Sequence, residues 1–178
     1  STQPRFDALK TEFRDLLRQS VQSQLGEAKP AAFLSGGTDS STVAGMAKQV
    51  AGHCDAYSIG FEAEGYDEMG YAKVAAEHFG LSHHAYYVTP KDLLESLPTV
   101  AAHFDQPFGN SSSLPSFFCA RMAQRDGVQR VLAGDGGDEL FGGNSRYTEG
   151  RLFAHYARVP HWLRRSLLEP VFESQLIK

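Results

Sequence analysis

Cysteine is scarce in this chain: Cys54 and Cys119 are the only two among 178 residues. They lack CxxC spacing, so neither a disulfide framework nor a zinc site is indicated, and two free buried thiols are expected. Long apolar runs are missing as well. No stretch of about 18 such residues could cross a bilayer, and the N-terminus has no short apolar block of the signal-peptide kind. A cytoplasmic protein without a membrane partner is the expectation. Clustered positive charge is also lacking, with a net charge of −4. Arg146, Arg151, Arg158, Arg164 and Arg165 are spread along the C-terminal segment like residues of solvated helix faces, so no nucleic-acid partner is expected. The first residue is Ser, which points to processing or to a longer parent protein.

What is present suits one ordinary domain over residues 1–178, with 42% hydrophobic and 21% charged residues able to build a real core. Phe6, Leu9, Phe13, Leu16, Leu17 and Leu25 recur near helical spacing and predict an amphipathic helix. After Pro30, the short run Ala31 to Leu34 ends on glycines and reads as a buried strand. Val43, Met46, Ala47 and Val50 then repeat as one face of a helix. Ala56 to Phe61 forms a second strand, followed by a helix with Tyr71, Val74, Ala75, His78 and Phe79 on its apolar face and Gly80 as its stop. Ala85 to Val88 makes a third strand. Thr89-Pro90 caps and starts a helix reaching about Phe104, shortened or kinked at Pro98. A helix through Leu114, Phe117, Phe118 and Met122 precedes a fourth strand, Arg130 to Ala133. Past about Gly150 the pattern is helical, with Leu152, Phe153, Tyr156, Trp162, Leu163, Leu167 and Leu168 as its apolar residues.

Strands alternating with helices predict an α/β fold: a doubly wound, mostly parallel sheet with helices on both faces and a helical C-terminal tail. In such sheets ligands bind beyond the carboxyl ends of the strands, where the strand order reverses. Two glycine-rich segments follow predicted strands and belong on that edge.

The first is Ser35-Gly36-Gly37-Thr38-Asp39-Ser40-Ser41, between a strand and a helix. Glycines let the backbone approach an anion closely, the amides and hydroxyls donate hydrogen bonds, and a helix N-terminus adds partial positive charge. Phosphate is the natural guest. Asp39 would repel it unless a divalent cation stood between them, which makes Asp39 a candidate magnesium ligand. The competing reading is a plain turn with Asp39 as a helix cap. No Walker A pattern is present. The second segment, Gly134-Asp135-Gly136-Gly137-Asp138-Glu139-Leu140-Phe141-Gly142-Gly143, sets several carboxylates on the same edge, which suits a cation or a proton-transfer task.

The first string resembles the PP-loop, SGGxDS, of ATP pyrophosphatases, which split ATP between its α- and β-phosphates. The second is similar to the G-[DE]-G-x-D-E-x-F-x-G string of the asparagine synthases and the related β-lactam synthetases. This resemblance covers about residues 10 to 150 and implies an adenine nucleotide alpha hydrolase-like fold. It also implies ATP contacts at Leu34, Ser35, Gly36, Gly37, Asp39, Ser40, Ser41, Ile59, Ala133 and Gly134. Magnesium would be shared by Asp39 and Asp138, and Asp135 would act at the acyl site. The implied reaction adenylates a small-molecule carboxylate, aspartate in the family's main case, releases pyrophosphate and lets ammonia open the acyl-adenylate to an amide. A related enzyme acting on another carboxylate and a non-catalytic ATP or AMP-binding module stay open. Family members also carry an N-terminal glutaminase and a longer helical C-terminal part that supplies a Lys. The partners implied are therefore a glutaminase domain or subunit, with a homodimer left open.

Smaller matches leave alternatives. Asp67 fits the family pattern and also a helix cap. His83 and His84 are adjacent, so on a strand they face opposite ways and read as structural or phosphate-proximal, not as a zinc site. Asn110 and the serines up to Ser113 could cap a helix or hold a substrate carboxylate. Asn144 stands where the family often has Tyr, which bears on substrate identity.

Overall fold

The structure, a computed structural model, describes residues 5–61, 67–107, 109, 110, 112–143, 156 and 158–165. Asn144, Arg146, Arg151, Leu152, Phe153, Leu167 and Leu168 lie outside these residues. Contacts group the chain into two compact units, Ser1–Asp135 and Gly136–Lys178.

In the first unit the helices are α1 (Phe6–Leu25), α2 (Thr38–Ala51), α3 (Met69–Phe79), α4 (Pro90–Ala101) and α5 (Ser113–Arg125). The strands are β1 (Ala31–Phe33), β2 (Asp55–Phe61) and β3 (Ser82–Val88), in the order β1-β2-β3. All pairings are parallel, with Ala31 opposite Asp55 and Asp55 opposite Ser82. The second unit holds α6 (Gly137–Phe141) and α7 (His161–Leu163).

Alternation along the strands sends side chains to two faces. Ala32 and Ala56 join Val21 and Leu25 of α1, Ala44, Met46 and Ala47 of α2, and Met69, Ala72 and Ala76 of α3. Ala31 and Tyr57 turn the other way, onto Cys119 and Ala123 of α5 and onto Val128. β1 and β2 are therefore covered on both sides, as parallel strands usually are, whereas β3 at the edge buries only Val88 and leaves Ser82, Ala85, Tyr86 and Tyr87 exposed. Cys54 and Cys119 are free and buried, and burial pushes their thiols up to about 11 and about 12.

The fourth strand is reduced to a single parallel bridge, Ala32 to Leu132. Leu132 N–H donates to Ala31 O and Phe33 N–H donates to Leu132 O, both at 2.8 Å. Because β1 is only three residues long between Pro30 and the glycine loop, its free edge offers room for little more. The bridge nevertheless fixes the topology. The chain runs from β1 outward to β2 and β3, then returns to the opposite side of β1, so the order reverses between β1 and Leu132.

Two apolar faces differ from the periodicity. In α3 the buried residues are Met69, Ala72 and Ala76, whereas Tyr71 and Val74 are 71% and 66% exposed. Close packing decides this: the ring of Phe79 occupies the space over Gly45 of α2, and the alanine stripe lets α3 approach where bulkier residues could not. In α1 only Leu17, Val21 and Leu25 reach the core, and Phe6, Leu9 and Leu16 are exposed. The predicted caps hold elsewhere. Gly80 closes α3 in the left-handed conformation, and Thr89 and Asp92 form a reciprocal capping box on α4. Pro98 lies inside α4, which continues to Ala101 and stops short of Phe104. Among the described residues no helix is long and apolar enough to cross a membrane.

Candidate functional site

The loop between β1 and α2 is built on a glycine that no other residue could replace without movement. Gly36 has φ +86, and a Cβ there would lie 2.5 Å from Ala72 N and 2.6 Å from Tyr71 C at the start of α3. Both the positive φ and the contact with helix backbone require glycine. Beyond it, Ser35 N–H donates to Ser40 Oγ at 3.2 Å, and the hydroxyls of Ser35 and Ser40 are 2.8 Å apart. Gly37 N–H donates to Ser35 Oγ at 3.3 Å, and Gly37 O lies 3.3 Å from Ser40 Oγ. The loop is thus tied to the first turn of α2 by its own serines.

Gly37 is the N-cap of α2 and contributes no capping side chain. The amides of the first helical turn therefore face outward without an intrahelical partner. Asp39 is the second residue of the helix and half-buried, and it does not act as the cap. Ser41 Oγ is buried and has no hydrogen-bond partner among the described residues. An orphaned hydroxyl one turn inside a helix whose N-terminal amides are uncapped is what an absent anionic ligand would satisfy.

Leu34 is 2% exposed with its side chain in the core, so it offers a ligand almost no surface. Ile59 is half-buried on the α5 side of β2. The second glycine segment reaches the same place. At Gly134 a Cβ would sit 2.6 Å from Ser40 N and 2.7 Å from Asp39 C, so this backbone packs directly on the first turn of α2. Ala133 and Asp135 beside it are exposed. The Ser35–Ser41 loop and Gly134 flank the position where the strand order reverses, the usual crevice for ligands in such sheets.

In the second unit, Asp138 is exposed in the first turn of α6, and Gly143 lies against its carboxylate, leaving no space for a side chain there. Among the described residues no group of three or more His, Cys, Asp or Glu could hold a metal by itself. A cation at Asp39 would need oxygens from a phosphate ligand and water, a coordination that suits magnesium.

The remaining candidates serve other groups. Asp67 stands one residue before Glu68, the N-cap of α3, and its Oδ1 accepts the Met69 N–H at 3.2 Å while Oδ2 accepts the Tyr87 hydroxyl. Asn110 Oδ1 accepts Ser112 N–H at 2.9 Å, and Ser113 Oγ donates to Asn110 O, so these groups organise the start of α5. A cavity of about 560 Å³ opens between α4 and α5, lined in part by Leu97, Val100, Phe104, Asn110 and Ser113. His83 and His84 do point to opposite faces. His84 Nε2 lies 2.9 Å from Asp55 Oδ1, and its ring stacks on Tyr57. His83 Nε2 lies 2.8 Å from Ser58 Oγ. Sequence reading did not single out Ser58, although a lone hydroxyl within the buried run of β2 was the available signal.

The family model for asparagine synthase matches residues 12–177. The chain is 34% identical over 163 residues to "Asparagine synthetase [glutamine-hydrolyzing] 1" of Bacillus subtilis, covering 91% of this chain and 26% of that protein. It is 37% identical over 156 residues to "Putative asparagine synthetase [glutamine-hydrolyzing] 2" of Methanocaldococcus jannaschii, covering 86% of this chain and 30% of that one. It thus spans under a third of the length of these relatives. Among solved structures it is similar to NMN synthetase from Francisella tularensis, at 18% identity and a TM-score of 0.48, covering 65% of this chain and 50% of the other. On the match of the family model across nearly its whole length, the chain belongs to the asparagine synthase family.

Proposed function

We propose that residues 1–178 act as one synthetase domain that binds Mg-ATP in the Ser35–Ser41 loop and uses it to activate a carboxylate for amide formation. In this reaction a carboxylate oxygen bonds to the α-phosphorus, the bond to the bridging oxygen breaks, and pyrophosphate leaves. Ammonia then attacks the acyl carbon, AMP departs, and the nitrogen loses a proton to give the amide. The same reading carries aspartate as the carboxylate, a glutaminase domain or subunit as the ammonia source, a homodimer as the assembly and the cytoplasm as the location.

The observation that carries the reading is the packing of Gly134 on the first turn of α2, a helix whose N-terminal amides are uncapped and whose Ser41 hydroxyl has no partner among the described residues. There, the amides of the loop and of the first turn of α2 donate to phosphate oxygens, joined by the hydroxyls of Ser35, Ser40 and Ser41. Such donors are fixed before the reaction, so they favour the charge that develops on the leaving phosphate without reorganising. By the family's pattern, magnesium would be held by Asp39 and Asp138, and it would supply neutralisation of phosphate charge. Asp135 stands on the acyl side, and Leu34, Ile59, Ala133 and Gly134 border the nucleoside. No protein nucleophile is required.

The test is to mix the chain with Mg-ATP, aspartate and ammonia and to measure pyrophosphate, with nucleotide binding followed separately by calorimetry. Pyrophosphate that depends on aspartate supports the whole reading. Binding without pyrophosphate leaves the nucleotide half, and absence of binding removes both. Asp39→Asn should weaken the binding of Mg-ATP more than that of metal-free ATP; an equal effect on both would exclude Asp39 as a ligand.

A further inference from the structure

The peptide unit that opens the glycine loop is gripped on both sides. Leu34 lies one residue beyond the last β1–β2 pair, Phe33 with Tyr57. Its N–H donates to Tyr57 O at 2.9 Å. Its carbonyl accepts the Ser58 hydroxyl at 2.6 Å, and Ser58 is only 3% exposed. The same peptide plane carries the Ser35 N–H, which donates to Ser40 Oγ in the first turn of α2. A peptide unit is rigid and planar, so fixing its C=O fixes its N–H.

Ser58 has one hydroxyl proton, and the Leu34 carbonyl can only accept. The proton therefore goes to Leu34, and Ser58 must accept from the group at its other side, His83 Nε2, 2.8 Å away. A neutral ring can do this only as the Nε2–H tautomer. Burial, followed by the neighbouring charges of His84 and Lys73, pushes the His83 ring below its ordinary value and so favours the neutral form. The resulting chain of donors runs from His83 on β3 to Ser58 on β2, on to the Leu34–Ser35 peptide, and then to Ser40 on α2.

We propose that His83 is a positioning residue that, through Ser58, sets the orientation of the peptide unit at the entrance of the glycine loop, and with it the aim of the loop's donors. Its functional half rests on the nucleotide reading above. Its structural half does not.

Two measurements keep those halves apart. Long-range proton–nitrogen NMR of the unliganded chain at neutral pH should give His83 as the Nε2–H tautomer, and the Nδ1–H tautomer would overturn the relay. Hydrogen exchange at the Ser35 amide should accelerate about tenfold in His83→Ala, the loss expected for one hydrogen bond's support; unchanged exchange would also overturn it. For function, Mg-ATP affinity is measured for the unaltered chain, His83→Ala, His83→Gln, Ser58→Ala and the His83→Ala, Ser58→Ala double variant. His83→Ala should weaken binding about tenfold. His83→Gln, whose side-chain amide can donate to Ser58, should recover most of the loss. The double variant should bind no worse than Ser58→Ala alone, because both substitutions break one chain. No rescue by Gln, or additive losses, would refute the positioning role. If the unaltered chain does not bind Mg-ATP, the nucleotide reading fails while the tautomer and exchange results still decide the relay.

Discussion

Replacing Gly134 by Ala tests the crossing on which the site depends. Gly134 is not among the glycines with positive φ, so alanine is acceptable to the backbone there and the effect is steric alone. The added Cβ would lie 2.6 Å from Ser40 N and 2.7 Å from Asp39 C, both backbone atoms of α2. Ordinary contacts of this kind sit near 3.5 Å, so the two segments must separate by about 1 Å. Overpacking of this kind costs about 1–3 kcal/mol. At about 2 kcal/mol the melting temperature of a chain this size falls by about 4–8 °C. If the strain is relieved instead by moving the first turn of α2, up to about a 30-fold loss of Mg-ATP affinity follows from the same energy. Thermal melts and calorimetric titration together divide the cost between these outcomes. Gly70→Ala serves as the control, since nothing lies within 4 Å of the added atom, and a helical Gly-to-Ala change should raise stability by about 0.5 kcal/mol. A Gly134→Ala chain that melts and binds like the unaltered one would mean that the two segments do not pack together as described.

Ser41→Ala should separate stability from binding. Because Ser41 Oγ is buried without a partner, its removal should leave the melting temperature unchanged or raise it, while Mg-ATP affinity falls about tenfold; a marked drop in melting temperature would show instead that the hydroxyl has a structural partner. Asp55→Asn should depend on pH. Burial alone would raise the Asp55 carboxyl, but hydrogen bonds from Lys29 at 2.9 Å and from His84 outweigh it and hold the group below its ordinary value. A depressed folded value stabilises above the unfolded value of about 3.9 and is lost as pH falls through the folded one. Urea unfolding should therefore show the variant less stable by about 1 kcal/mol at pH 7 and the two chains converging below about pH 4; a gap that widens in acid would reverse the assignment.

Much of the architecture was legible locally. Ala31 to Leu34 before the glycines, Thr89-Pro90 at the head of α4 and Gly80 after α3 each specify their structure through neighbours within a few residues. The face of α3 was not legible, because its periodicity supports a Tyr71 and Val74 stripe as well as an alanine one. Only the close approach of α3 to Gly36 and Gly45 selects between them.

The sequence by itself determined the alternation of strands and helices, the loop at Ser35 to Ser41 and the membership of a family, since these depend on residue order and short-range chemistry. Tertiary structure decided that the run at Arg130 to Ala133 pairs only through Leu132, that Gly134 rests on the first turn of α2, and that His83 and Ser58 reach the loop's entrance. Those facts join positions separated by 24 to about 100 residues. They follow from how tightly two backbones can approach, which no local pattern encodes.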